Sequence, residues 1–525
     1  MTVADGLAPW GRSDLPVGAL LQERATTNGD FVYALWEERP ITVAAIADGV
    51  SRFANALTAL GVRKGDRVSV MLPNHPDHVV AMLALQTLGA CQVPVNVQLR
   101  GEGLRFILSH SQAAFIIADG RYAEQLDPVL PDLGGTVIWR GRPGSVPDLG
   151  ELMRHTDASA PACPVRPDDP VMILYTSGTT GLPKGVVLTD RMLRCCGRAA
   201  GRLCGLRPGD VLYVWEPLYH IGGAEVVVLA LQEPTTLAMV ERFSVTRFWS
   251  DVRRLRATHM HFLGGVLALL LKEPPRPDDR DHPVRTAWGG GCPPDVWRAF
   301  EDRFGVTIRE CYGMTECSSF TTQNLDGKFG SIGKAVPWFD VTIADEAGRP
   351  LGPGERGEIV VREKVAGLLM QGYFNNPNAT RETLRDGALY TGDVGWFDAE
   401  GDFFFAGRKK DSIRRRGENI TAFEIERIAN EHPDVAESAA IGVRNEIADE
   451  DVKVFLRLKE GRTLDPLDFV RWCESRMAAF QIPRYVAFIG AFPKTGSERI
   501  RKDQLSHSSE NIFDLERSGY RRKRA

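Results

Sequence analysis

Apolar residues along this chain recur with two alternating periods. Residues 44–60 carry them at helical spacing and stop before Gly61, whereas Arg67-Val68-Ser69-Val70-Met71-Leu72-Pro73 alternates like a strand running into a turn. His78 to Leu88 predicts a second helix, closed by Gly89-Ala90. A continuous apolar run, Val171-Met172-Ile173-Leu174, predicts a buried strand; Arg191 to Arg202 and Val266 to Leu271 predict further helices. This alternation predicts an α/β fold whose large N-terminal domain is layered around mostly parallel sheets. Past residue 412 the pattern shortens to a small α+β C-terminal domain: helix Ala422 to Asn430, strands Ala439 to Val443 and Val452 to Leu458, helix Pro466 to Met477. The predicted division is 1–407, a junction at 408–412, a small domain at 413–510, and a basic, disordered tail at 511–525 that ends in Arg521-Arg522-Lys523-Arg524.

A length of 525 residues supports that division into more than one domain. The 64 basic and 68 acidic residues nearly cancel, so no global charge points to nucleic acid or membrane as partner. No apolar run is long enough to span a bilayer, and Met1 to Trp10 lacks the basic-then-apolar layout of a signal peptide. The nine cysteines include no C-x-x-C pair, which argues against a zinc site or a disulfide framework and for a reducing cytoplasm. Oligomeric state is not legible.

The sharpest chemistry lies after the apolar run, in Tyr175-Thr176-Ser177-Gly178-Thr179-Thr180-Gly181-Leu182-Pro183-Lys184-Gly185. Glycines let the backbone approach a ligand, and successive N–H groups with the hydroxyls of Thr176, Ser177, Thr179 and Thr180 make a concave donor surface suited to phosphate. Lys184 adds a point charge. The stretch is not a Walker A loop, because Pro183 stands where the second glycine belongs and Gly185 follows the lysine. A polar surface loop is the plain alternative.

Further along come Ala287-Trp288-Gly289-Gly290-Gly291-Cys292, Glu310-Cys311-Tyr312-Gly313-Met314-Thr315-Glu316, Tyr390-Thr391-Gly392-Asp393 and Gly407-Arg408-Lys409-Lys410-Asp411. In this order the motifs resemble those of the adenylate-forming superfamily, which contains acyl-CoA ligases, luciferases and peptide-synthetase adenylation domains. The likeness spans nearly the whole chain and is greatest to the crotonobetaine/carnitine–CoA ligase subgroup, through the tracts around Leu263-Gly264-Gly265 and Arg415-Arg416-Gly417-Glu418-Asn419.

That resemblance implies roles. The phosphate loop (Thr176 to Gly181) and Lys184 would hold ATP phosphates. Gly289, Gly290 and Gly291 would border adenine and the acyl group, and Tyr312 would stack on adenine beside Gly313 and Met314. Thr315 would bond the α-phosphate and Glu316 would hold Mg²⁺, a hard cation that suits carboxylate oxygen. Asp393 would take the ribose hydroxyls, helped by Arg408. His220, Phe262, Gly264 and Gly290 would line the acyl pocket. Lys410 would be the pivot of a mobile C-terminal domain, and the loop at Gly417 would line a tunnel for CoA or a carrier-protein thiol. Standing alone, His220 reads as a structural histidine, and His259 with His261 lacks a third metal ligand.

One position departs from the family. The run Thr495-Gly496-Ser497-Glu498-Arg499 puts arginine where relatives carry the lysine that bridges substrate carboxylate and α-phosphate. Lys494 and Lys502 lie five residues before it and three after. A planar guanidinium is not interchangeable with a compact ammonium. Asp190 is a smaller departure, since relatives often carry histidine there.

The function these features imply is two-step. A carboxylate and MgATP give acyl-AMP and pyrophosphate, catalysed by Lys184, Thr315, Glu316 and Arg499, and a thiol such as CoA then takes the acyl group. Two alternatives are weighed: activation of nitrite to diazotise an aryl amine, as in some relatives from bacterial secondary metabolism, and a non-catalytic nucleotide-binding relative.

Overall fold

The computed structural model describes residues 14–520, apart from 146, 177–182, 416–417, 445–449, 475, 478–480 and 496–497. Ser177, Gly178, Thr179, Thr180, Gly181 and Gly417 therefore lie outside the described residues, as does the side chain of Lys410.

Two large sheets organise the N-terminal part. The first runs Thr136–Arg140, Phe115–Asp119, Arg67–Met71, Cys91–Pro94, Pro170–Thr176, Lys184–Thr189. Its strands are parallel except the last, which pairs antiparallel to Pro170–Thr176. The second, of nine strands, has a parallel centre formed by Thr307–Tyr312, Thr286–Gly290, His259–Leu263, Val211–Val214, Thr236–Met239 and Val32–Trp36. The Thr176-to-Lys184 segment thus connects two neighbouring antiparallel strands instead of leading from strand to helix, as a Walker A loop does.

The helices that the apolar spacing predicts are present, with ends fixed by local chemistry. Val43–Ala59 begins where the Thr42 hydroxyl accepts from Ala45 N at 3.2 Å. Pro76–Leu88 ends at Gly89, whose φ of 69° closes the helix through bonds to Leu85 and Gln86 carbonyls. This helix and Ile221–Gln232 are buried on nearly every face, and their side chains share a core with residues of both sheets, among them Val70, Met172, Leu212 and Trp288. A helix apolar all round belongs between layers. A second core, with Phe248, Phe262, Trp297 and Phe300, covers the opposite face of the nine-stranded sheet.

Two features go beyond the periodicity. Residues 339–408 form an antiparallel five-stranded sheet that includes Phe339–Ala344, Gly357–Glu363, Ala388–Phe397 and Phe403–Arg408. After a 3₁₀ turn at Lys409–Asp411 and the hairpin Ser412–Arg415/Glu418–Thr421, the C-terminal part builds its own four-stranded sheet and its own core around Ile425, Val454 and Phe469. As far as residue 520 the tail is a correction to the disorder expected from residue 511; residues 521–525 lie outside the described residues. Phe513 and Asp514 pair with Tyr485 and Val486, Leu515 is buried, and Tyr520 donates its hydroxyl hydrogen to Glu474. Two aromatic side chains and a leucine anchor residues that the basic run alone marked as solvated.

Asp190 acquires a structural meaning. One carboxylate oxygen accepts from Val17 N at 2.9 Å and the other from Arg194 Nε at 2.7 Å, all in buried surroundings. It therefore ties the first helix, Val17–Asn28, to the helix Asp190–Cys204. Because removing one partner strands the other charge out of water, Asp190→Ala is expected to destabilise the N-terminal part by about 3–5 kcal/mol. Urea unfolding followed by tryptophan fluorescence measures it, and a loss below about 1 kcal/mol would disprove the tie.

Candidate active site

The carboxyl ends of the parallel strands and the antiparallel sheet meet at one cleft. Tyr312 ends its strand and Thr315–Cys317 follows as a 3₁₀ turn. Close packing shapes this segment: a Cβ on Gly313 would lie 1.8 Å from the Ser319 carbonyl oxygen. Ser318 and Ser319 carry positive φ angles of 54° and 68°, so the backbone here is strained. The turn is stitched to residues 363–373 by Ser318 Oγ donating to Leu368 O and Met370 N donating to Glu316 O.

This stitching brings up Tyr373, which no local motif marks. Its hydroxyl donates to Glu316 Oε1 at 2.8 Å, and Lys184 Nζ lies 5.0 Å from the centre of its ring. Glu316 is buried, and burial raises its pKa; Tyr373 and, at longer range, Lys184 act the other way. Thr315 is also buried beside it. An ionised carboxylate so far out of water calls for cationic company, and carboxylate oxygen suits a hard divalent ion. The donor set fits Mg²⁺.

Asp393 sits across the cleft. Its carboxylate accepts from the Tyr312 hydroxyl at 2.8 Å and faces Arg408 Nε at 3.4 Å, its register partner on the next strand. Burial raises its pKa, while Arg408, Tyr312 and Arg499 lower it. Gly289 and Gly291 have φ of 154° and 91°, and Gly264 N donates to Gly290 O, so these glycines lie side by side at the strand ends. A Cβ on Gly289 would lie 1.8 Å from the Phe262 carbonyl oxygen. Glu310, also absent from the sequence reading's site, holds this turn by accepting from Gly291 N and Cys292 N; burial pushes its pKa to about 8.

Two expected pocket residues fare differently. Phe262 turns its ring into the second core, fully buried, so as a pocket-lining side chain it is corrected: strand alternation gives the cleft side to its neighbour His261. His220 caps the helix Ile221–Gln232, and burial pushes its pKa down to about 4, so the ring is neutral.

Arg499 comes from the C-terminal part and reaches the same cleft. It keeps solvent contact, yet surrounding protein and then Arg408 hold its guanidinium below the ordinary value, while Asp393 and Glu216 pull the other way. Lys494 and Lys502 do not take its place: they are committed to Glu437 and Glu426 at 2.5 and 2.6 Å.

Comparison with known proteins decides the lineage. Residues 21–374 match the AMP-binding enzyme family, and residues 424–499 match the AMP-binding enzyme C-terminal domain. The chain belongs to this adenylate-forming family. It is 33% identical over 470 residues to a crotonobetaine/carnitine–CoA ligase of Escherichia coli O9:H4, covering 87% of this chain and 91% of the relative. Its fold superposes on o-succinylbenzoate CoA synthetase of Bacillus subtilis in complex with its acyl-adenylate intermediate, with a TM-score of 0.82 and 26% identity over 94% of this chain and 98% of the other. A Mycobacterium tuberculosis fatty acyl CoA synthetase superposes with a TM-score of 0.72 and 27% identity, covering 93% and 97% of the two chains.

For this AMP-binding enzyme the Tyr312–Asp393 bond predicts a pH effect. Tyr312→Phe removes a donor that favours the ionised carboxylate, so the pKa of Asp393 should rise further. AMP affinity should then fall about tenfold at neutral pH, and its loss on acidification should begin at higher pH than in the wild type. Calorimetric AMP titrations across pH test this; superimposable profiles would refute it.

Proposed function

We propose that this protein activates a carboxylic acid with ATP as acyl-AMP, releasing pyrophosphate, and then transfers the acyl group to CoA. The observation that carries this reading is convergence: Lys184, Glu316, Asp393 and Arg499, from four separate segments, form a chain of electrostatic neighbours, each acting on the next. In this reading Asp393 with Arg408 fixes the ribose, Tyr312 and the glycines at 289–291 receive the adenine, and Thr176 with Lys184 and Thr315 contacts phosphates. Described neighbours of the phosphate loop support that placement, since Thr176 and Lys184 pair across its base.

Glu316 would hold Mg²⁺, which would supply positive charge to the phosphates. The chain's own residues do the rest. Tyr373 orients the Glu316 carboxylate, as partners of metal-ligating groups do. Arg499 brings a guanidinium to the junction of substrate carboxylate and α-phosphate, where its fork can grip both oxyanions while the carboxylate attacks phosphorus in line. His220, neutral and half-buried, lines the acyl side without adding charge.

The second step requires the C-terminal part to turn away. We place the pivot at Lys410 within the turn Lys409–Asp411, with the large domain before residue 408 and the small domain after 412. Light contacts support mobility: Arg356 with Glu424, Lys409 with Glu358, and Lys272 with the Ala436 carbonyl are partly exposed polar contacts that cost little to exchange for water. Turning would withdraw Arg499 and admit a thiol past the loop at Gly417. Neither nitrite activation nor a non-catalytic role has an observation of its own in the site. The reading further places the enzyme in the cytoplasm, consistent with nine free cysteines; among the described residues no helix is long and apolar enough to cross a membrane.

The deciding experiment measures AMP release from ATP over a panel of aliphatic and aryl acids, with and without CoA, with a nitrite-plus-aminoaryl-acid control. Acyl-CoA and AMP together are expected; turnover with nitrite alone would overturn the reading. Arg499→Ala should slow acyl-AMP formation about a hundredfold, the scale for losing one preorganised donor to developing charge. The loss should be far smaller when acyl-AMP is supplied and only thioester formation is followed. Equal losses in both half-reactions would place Arg499 outside the first.

A further inference from the structure

Buried polar atoms in folded proteins almost always have hydrogen-bond partners, so a cluster without them calls for a missing group. Such a cluster lies beside the acyl side of the cleft. Glu216 Oε1, His220 Nε2 and Trp288 Nε1 are all buried without a hydrogen-bond partner among the described residues. Glu216 is 3% exposed, His261 7% and Trp288 1%. They form one group: His261 Nδ1 contacts Glu216 Oε2, and the His261 ring centre lies 4.2 Å from that of Trp288.

Surrounding structure holds the group in place. Asn74 Nδ2 donates to the Glu216 carbonyl at 2.7 Å, and Trp215 Nε1 donates to the His261 carbonyl at 2.9 Å. Gly222 is required here, because a Cβ would lie 2.6 Å from Glu216 Oε2. The backbone of the helix Ile221–Gln232 is thereby kept bare so that a carboxylate can lie against its first turn. That helix packs in the same core as Trp288, on the side of the sheet away from Phe262, and His220 and Arg499 feel the Glu216 carboxylate there.

The lining sets the ligand's chemistry. The Glu216 carboxylate offers oxygens to a donor, Trp288 Nε1 only donates, and neutral His220 does either. A methyl group would satisfy none of them. Resting on the ligase reading above, we propose that Glu216, His261 and Trp288 form a specificity subsite for a carboxylic acid bearing an amine or hydroxyl remote from its carboxylate. The carboxylate lies toward Arg499 and the N–H or O–H donates to Glu216, while His261 positions the Glu216 carboxylate. A site built to bond such a donor rejects the analogue lacking it, because its own polar groups are then left unpaired.

The test uses matched acids: para-aminobenzoate, para-hydroxybenzoate and para-methylbenzoate, with γ-aminobutyrate, γ-hydroxybutyrate and pentanoate as the aliphatic set. In the full-length wild-type enzyme, kcat/KM for AMP release should favour a donor-bearing acid over its methyl partner by about 10- to 100-fold in at least one set. Glu216→Gln should narrow that ratio mainly through KM, and Glu216→Met should reverse it toward the methyl acid. An AMP-induced thermal shift certifies that the variants are folded; the wild-type ratios need no variant. No preference in the wild type, or an equal loss for every acid in the variants, would overturn the subsite and leave a water-filled internal polar network. Calorimetric binding of the same acids separates the two readings. If no acid yields AMP, the ligase reading falls, whereas preferential binding of a donor acid still supports the subsite and equal or absent binding overturns it.

Discussion

The hydrogen bond from the Tyr312 hydroxyl to Asp393 ties one half of the nucleotide cleft to the other. Tyr312 closes a strand of the nine-stranded sheet and Asp393 lies in the antiparallel sheet, 81 residues further along the chain. Because Asp393 is buried, its carboxylate needs the phenol and Arg408 to stay ionised. The phenol contact, with the Gly333–Phe403 bridge and the Met370–Glu316 backbone bond, holds the sheets together. The position of Glu316, four residues after Tyr312, and the approach of Arg499 both depend on those ties.

Burial of carboxylates is the recurring device. Glu316, Asp393 and Glu310 each sit in surroundings that raise their pKa, and each is held by a small number of directed donors. Such groups are costly to the fold, and buried charges are retained where they are paired or bind a ligand. The acidic trio Asp398, Glu400 and Asp402 shows the contrast. Its carboxylates converge like a metal site but are already bridged by Lys328, whose ammonium contacts all three. There the cation is built into the chain.

The arginine at position 499 fits this electrostatic frame. A lysine would offer a point charge, whereas the planar guanidinium can meet two oxyanions at once. The nearby acids Asp393 and Glu216 offset part of its desolvation, and Arg408 adds to it. The site thus tolerates two arginines because two buried carboxylates face them.

Much of the layout was legible in the chain itself. Helical and strand periods outlined the layers because burying one face is a local demand on residue order, and Gly89 or Thr42 marked ends by backbone chemistry. The glycine-rich and acidic motifs were legible because phosphate and cation chemistry require particular residue types close together in sequence. Tertiary structure alone decided what those motifs touch. Tyr373 under Lys184 and against Glu316, Glu310 under the 289–291 turn, and the inward turn of Phe262 arise from strand register and from contacts between distant segments, for which no local pattern exists. The tail was misjudged because its charge is local while the sheet edge that receives Phe513 lies elsewhere in the chain. Composition and period set which residues must be buried; only the closed packing of the sheets set which of the buried polar groups still lack a partner.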